Sequence, residues 1–267
     1  MRAVTLAAVA LLASVGAAHA QGASPDGTPA IRLDTDPAHA PGATMAAPTH
    51  TAMAGGHDSP PTYYFVRVNN LDFGGANAGA RLAWDVNARF GTDDYRLVLK
   101  SEGEAVRGRT RDAELQVLID TPVSEFFNLQ MGWRRVIAPV NRNFFAIGVE
   151  GLAPYFVDSE LTLFVSERGG AVLRAKGAVD IPIIANVYTK PMIEVNAYSS
   201  DDRALETYAG IGRMKLSLQT RYEVTRQIAP YFELGWDRLL GRTGSAAHAA
   251  GERVENAYAV VGIRLWY

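Results

Sequence analysis

The sequence predicts an all-β fold: a transmembrane antiparallel up-and-down β-barrel of about twelve strands behind a disordered N-terminal tail. Three observations predict it. Apolar and polar residues alternate through most of residues 63–267, the period of a pleated strand with two unlike faces. The chain opens on an export signal, and no later run of about 18 apolar residues would serve as a helical span. Its last segment, YAVVGIRLWY, is a strand of the same kind: Ala257, Ala259, Val261, Ile263, Leu265 and Tyr267 form an apolar face. An edge so apolar invites aggregation, and closure into a barrel removes it.

Residues 1–20 read as a signal peptide. Arg2 precedes AVTLAAVALLASVGAA, and AHA before Gln21 supplies small residues for cleavage after Ala20. The product is exported, most simply in a Gram-negative cell with an outer membrane. Residues 21–62 are rich in Ala, Pro, Gly, Thr and His, and hold too little apolar surface to fold alone. They are expected to form a flexible periplasmic tail. Residues 63–267 then make one barrel domain. A formal charge of −2 gives no basis for nucleic-acid binding, and the absence of cysteine excludes a disulfide framework.

Within the barrel, Leu82, Trp84, Val86, Ala88 and Phe90 alternate with Arg81, Asp85, Asn87 and Arg89. Ala113, Leu115, Val117 and Ile119 oppose Asp112, Glu114 and Gln116; Phe127, Leu129, Met131 and Trp133 oppose Asn128, Gln130 and Arg134. The longest case sets Met214, Leu216, Leu218, Tyr222 and Val224 against Arg213, Lys215, Ser217, Gln219, Arg221 and Glu223. Such segments start near residues 63, 80, 95, 111, 125, 142, 156, 170, 186, 208, 231 and 254. Each approaches the roughly 9–11 residues that a tilted membrane strand needs. Connections at GTDD (from Gly91), DTPVS (Asp120), GLAPY (Gly151), DIPIIA (Asp180) and TRQIAP (Thr225) are short. The other set is expected to be longer and more polar, as in SSDDRALET (from Ser199) and LGRTGSAAHAAGE (from Leu240). Short periplasmic turns and long outer loops fit a membrane barrel with both termini in the periplasm. Tyr63, Tyr64, Trp133, Tyr155, Tyr231, Trp266 and Tyr267 are expected in its interface girdles. A secreted soluble sandwich or lipocalin-like barrel is the alternative that alternation alone leaves open.

GVEGLAPYFVDSELTLFVSERGGAVLRAKG, from Gly148, and RYEVTRQIAPYFELGWDRLLGRTGSAAHAAGERVENAYAVVGIRLWY, from Arg221, resemble the copper-resistance protein B family of outer-membrane proteins. LAWDVNARFGTDDYRLVLKSEGE, from Leu82, resembles that family's first block more loosely. The resemblance implies an outer-membrane barrel in contact with lipid, acting as a monomer with periplasmic copper-resistance proteins. It implies copper, Cu(I) or Cu(II), as the bound ion. The Met- and His-rich segment that family members often carry is here reduced to Met45, His50, Met53 and His57, with His39 upstream.

Cu(I) prefers thioether and imidazole donors, and Cu(II) accepts imidazole and carboxylate. Met45, His50, Met53, His57 and Asp58 could gather round one ion if the tail folds over it; an ordinary linker containing a few Met and His residues is the bland reading of the same stretch. The polar faces should line the lumen, with Glu102, Glu104, Asp112, Glu114, Asp158, Glu160, Glu194, Glu223 and Glu233 opposite Arg81, Arg89, Lys100, Arg134, Arg174, Lys176, Arg213 and Arg221. A structural ion-pair lattice is the simplest role for that set. Met192 falls on the same face beside Glu194 and Asn196, where a thioether next to a carboxylate suits copper, whereas Met131 and Met214 fall on the apolar face. No enzyme is expected: His248 is the only histidine of the barrel domain and lies in the AAHAA loop without a persuasive serine or acid partner. An outer-membrane lipid-modifying enzyme and a narrow structural barrel with no metal role are the competing functions. Twelve strands are too few for the open channel of a general diffusion porin.

Overall fold

Alternation of side chains, carried through most of the domain, produces one sheet that closes on itself. A computed structural model describes residues 62–77 and 79–267; the signal peptide and nearly all of the expected tail lie outside the described residues. The strands are β1 Tyr63–Ala76, β2 Gly79–Gly91, β3 Arg96–Val106, β4 Arg109–Pro122, β5 Phe127–Ala138, β6 Arg142–Ala153 and β7 Val157–Ser166. They continue as β8 Ala171–Val179, β9 Ile181–Ile184, β10 Val187–Tyr198, β11 Gly210–Tyr222, β12 Ile228–Leu239 and β13 Glu255–Trp266, with helix α1 at Gly241–Ala249. Every pairing is antiparallel, and β1 pairs with both β2 and β13. β10 pairs with both β8 and β11. The four-residue β9 borders only the first residues of β10 and prolongs the β8 wall past Asp180. The result is a closed barrel of twelve full strands, whose expected starts fall within three residues of those observed.

The two faces separate as the alternation requires. On β3, Leu97 and Leu99 are exposed while Val98 and Lys100 are buried; on β4, Leu115 and Ile119 point out while Glu114, Gln116, Leu118 and Asp120 point in. A continuous outer belt of exposed Leu, Ile, Val and Phe faces the surroundings, and polar groups fill the interior. For a water-soluble barrel the order would be reversed. This inversion makes the barrel a membrane-spanning one, in which each of the twelve full strands is paired on both sides.

Two sequence expectations, on the girdles and on the loops, are corrected here. Trp266 falls on the lumenal face of β13, opposite Arg67 and two residues from Arg264, and so does not belong to a girdle. Tyr231 is not a girdle residue: it is 5% exposed, inside the barrel, where its hydroxyl donates to Asp72. Gly262 stands opposite it on β13, and a Cβ there would strike the Tyr231 ring, so the glycine makes room for it. Nor is the second set of connections uniformly long. At that end only residues 199–209 and 240–254 are extended, whereas β3 and β4 are joined by Arg107 and Gly108 alone. Both of those residues have positive φ, the backbone of a primed two-residue hairpin turn that matches strand twist. At the opposite end, the turn Pro154–Phe156 holds Tyr155 and Phe156 at positive φ with both rings exposed.

Candidate functional site: the barrel lumen

The register of the strands converts the polar faces into rows that run round the wall. Glu160, Lys176, Glu194, Lys215 and Asp237 are successive cross-strand neighbours on β7, β8, β10, β11 and β12. Opposite charges directly across a strand pair attract, so this alternating ladder supports the same register that the outer belt requires. One rung along, Thr162, Arg174, Asn196 and Arg213 form the next row.

Glu114 is the centre of the densest cluster. It is 4% exposed and accepts hydrogen bonds from Gln116 Nε2 (2.7 Å), Arg134 Nε (3.0 Å) and Arg174 Nη1 and Nη2 (2.9 and 3.0 Å). The two guanidinium groups lie over the Phe164 ring, at 4.3 and 5.1 Å from its centroid. Phe164 belongs in turn to an inward apolar cluster with Val98, Leu118, Val136, Phe144 and Ala146, against which Leu205 of the 199–209 loop packs. A second group joins Lys100 to Glu150 (2.9 Å) and Glu160 (3.0 Å), while Arg89 also reaches Glu150. Lys176 holds Glu102 at 2.9 Å, and Arg213 pairs with Asp237. Between these groups remains an interior cavity of about 1620 Å³.

The extended loops converge on one mouth of this cavity. Arg242 of α1 pairs with Asp201 at 2.8 Å, Thr243 accepts the backbone N–H of Tyr208, and Arg142 pairs with Asp202. The backbone N–H of Ala209, together with Arg242, holds the Asp201 carboxyl below the usual carboxylate range. Burial opposes ionisation of Asp202, but the Arg142 guanidinium and the backbone N–H groups of Leu205 and Ala204 together outweigh it and lower this carboxyl too.

Of the residues singled out from sequence, Glu102, Glu104, Asp112, Glu114, Asp158, Glu160, Arg174, Lys176 and Arg213 all line the cavity. Arg221 lies at its end, bound to Asp180 at 2.6 Å and Glu223 at 3.2 Å. Met192 and Glu194 also line the cavity, with Met192 between Ala178 and Ser217 on the neighbouring strands. Glu194 is already engaged: it accepts from Asn196 at 2.8 Å and lies 3.8 Å from Arg174 and 4.0 Å from Lys176. Among the described residues, Met192 is the only thioether on the cavity wall, no histidine lines it, and no group of three His, Cys, Asp or Glu converges as a metal cage. These donors fit a single passing contact with copper, not a coordination shell. Met45, His50, Met53 and His57 lie outside the described residues. Met131 is exposed on the outer face, and His248 is exposed on α1.

Sequence reading missed Asp72, Asp120 and Glu150. Asp120 was taken as part of a turn, yet β4 runs on to Pro122 and buries it 3.2 Å from Arg96. Asp72 was hidden by a register shift after Val68, which breaks the alternation of β1.

Fold and lumen together define a membrane-spanning β-barrel whose interior is packed with paired charge. The NanC porin shares this fold, with a TM-score of 0.50 and 12% identity over 75% of this chain and 98% of that one. The chain belongs to the copper resistance protein B family: the family model described as copper resistance protein B precursor matches residues 62–267. Copper resistance protein B of Escherichia coli is 36% identical over 79% of this chain and 71% of its own length. Its homologue in Pseudomonas syringae pv. tomato is 35% identical over 79% of this chain and 72% of its own length.

Proposed function

We propose that this barrel sits in the outer membrane, binds copper ions as cargo and sequesters or exports them in copper resistance. The observation that carries this reading is that the family match, residues 62–267, coincides with the whole barrel. The lumen supports it with Met192, a soft donor facing the cavity beside a carboxylate. In this reading the tail lies in the periplasm, where Met45, His50, Met53 and His57 capture copper close to periplasmic copper-resistance partners. Thioethers need no deprotonation, so such a site stays competent in mildly acid surroundings. The work is binding and passage, with no catalytic step. A narrow structural barrel without a metal role is the second reading, favoured by the density of ion pairs about Glu114 and Lys100.

Copper sensitivity and cell-associated copper in a deletion strain, complemented by variants, test the proposal. Removal of residues 39–58 should lower copper binding with the barrel still folded. Met192→Leu with Glu194→Gln should lower tolerance by a smaller amount, since Met to Leu conserves volume. Unchanged tolerance in the full deletion would overturn the copper reading. Unchanged tolerance in both variants would instead remove these donors from it.

A further inference from the structure

Many cations inside the barrel have a carboxylate of their own; Arg67 and Arg264 are among those that do not. They lie on adjacent strands, β1 and β13, one rung apart: Arg67 is directly opposite Trp266, two residues from Arg264 on the same face. Diagonal neighbours of this kind stand about 7–8 Å apart, within reach of two arginine side chains. Both line the cavity, at the end where β1 begins and β13 finishes. Arg264 is also close enough to Arg221 and Arg67 to be repelled by both, with weaker attraction from Asp180 and Asp158. Neither Arg67 nor Arg264 has a carboxylate within ion-pair distance among the described residues, and the Nε of each is buried without a hydrogen-bond partner.

Three nearby carboxylates are already held by other cations, and Asp85 of β2, two residues from the Asn87 that stands opposite Arg67, accepts from Asn69 at 3.1 Å without closing an ion pair to Arg67. Asp180 accepts from Arg221 at 2.6 Å, Glu223 from the same guanidinium at 3.2 Å, and Asp158 from Lys190 at 2.9 Å. Aromatic rings only partly cover the free pair: the Arg67 guanidinium is 5.8 Å from the Phe65 centroid, and that of Arg264 is 5.7 Å from the Trp266 centroid. Two forked donors with buried, unused N–H groups, facing one cavity from neighbouring strands, match the geometry of a bidentate oxyanion.

We propose that Arg67 and Arg264 form a binding site for a small oxyanion of the carboxylate or phosphate type at the β1–β13 end of the lumen. Arg221 adds field to the site while remaining tied to Asp180. The site is independent of copper, and its ligand enters through the mouth beside Tyr63 and Tyr267.

Calorimetric titration of the full-length protein in neutral detergent at low salt tests this, with inorganic phosphate in one arm and citrate in the other. Saturable binding of at least one is expected, and the stronger arm identifies the class. Arg67→Gln with Arg264→Gln should weaken it by roughly tenfold or more, because the charge-assisted donors are lost. Arg168→Gln, in the exposed β7–β8 turn, should leave it unchanged. Heat-modifiable migration on gels reports folding of each variant. Should the double glutamine variant fail to fold, Arg67→Lys and Arg264→Lys keep the charge, remove the fork and should each weaken binding several-fold. Absence of saturable binding in both arms, or equal binding by a folded double variant, overturns the proposal.

Discussion

The two sides of the lumen bury carboxylates by different means. On the β4–β8 side, Glu114 is enclosed by two guanidinium groups that rest on the Phe164 ring, so charge is matched by charge and flat surface by flat surface. On the side built from β11, β12, β13, β1 and β2, tyrosine hydroxyls take over. Asp72 accepts from Tyr231 at 3.1 Å as well as from Arg81 at 2.8 Å, and Glu233 accepts from Tyr258 at 3.0 Å and Gln219 at 3.1 Å. The rings that carry those hydroxyls need floor space, which Gly262 supplies for Tyr231 and Gly235 for Tyr258. The first side thus depends on electrostatic balance and the second on steric clearance, and substitutions should separate the two.

Glu114→Gln should have the largest effect. It leaves Arg134 and Arg174 facing each other without their common anion, and breaking a buried pair from one side costs about 3–5 kcal/mol. Urea unfolding of the reconstituted barrel, read by tryptophan fluorescence, would measure it; a loss below that of the substitutions described next would break the comparison. Gly235→Ala should rank second. The new methyl group would collide with the Tyr258 ring, and overpacking of this kind costs about 1–3 kcal/mol. Adding Tyr258→Leu to Gly235→Ala should relieve the clash, whereas no such change rescues Glu114→Gln. Tyr231→Phe should cost less, about 1 kcal/mol, because Asp72 keeps Arg81 when the hydroxyl is lost.

The smallest effect belongs to the loop latch, where the carboxyls of Asp201 and Asp202 are held below their ordinary range. A depressed carboxyl contributes stability above its unfolded pKa, near 4, and loses that contribution as pH falls through its folded value. Protection of the amides of residues 199–209 against hydrogen exchange, taken relative to the intrinsic rate at each pH, should therefore be constant at neutral pH and fall only below about pH 4. A fall in protection between pH 5 and 7 would mean that some other group holds the loop.

How much of this was legible in the sequence depends on whether a feature follows from one strand or from two. Alternation within single strands placed Leu115 outside and Glu114 inside, and the same rule set Met192 on the lumenal face. It failed at Asp72, where a register shift interrupts the period, and at Asp120, where Pro122 resembled a turn but closes a strand. Tyr231 was misplaced for a different reason. Its APYF context equals that of exposed Tyr155, yet the first copy forms the turn Pro154–Phe156 and the second lies within β12, where Gly262 across the strand pair makes room for the ring. The partners of Glu114 come from β4, β5 and β8, so the cluster needs the register of three strands before it exists.

The ladder Glu160–Lys176–Glu194–Lys215–Asp237 has one further effect, on anything that moves along the lumen. Its sign reverses at every strand, and strands stand about 4.8 Å apart, so the pattern repeats over roughly 9.6 Å. The potential of such a periodic array fades with a decay length of its repeat divided by 2π, about 1.5 Å for this spacing. An ion on the barrel axis is blind to it; an ion touching the wall meets a full hill or well. Long-range steering is therefore silent along this stretch, and discrimination between ions is left to atoms that make contact, among which Met192 is the soft one.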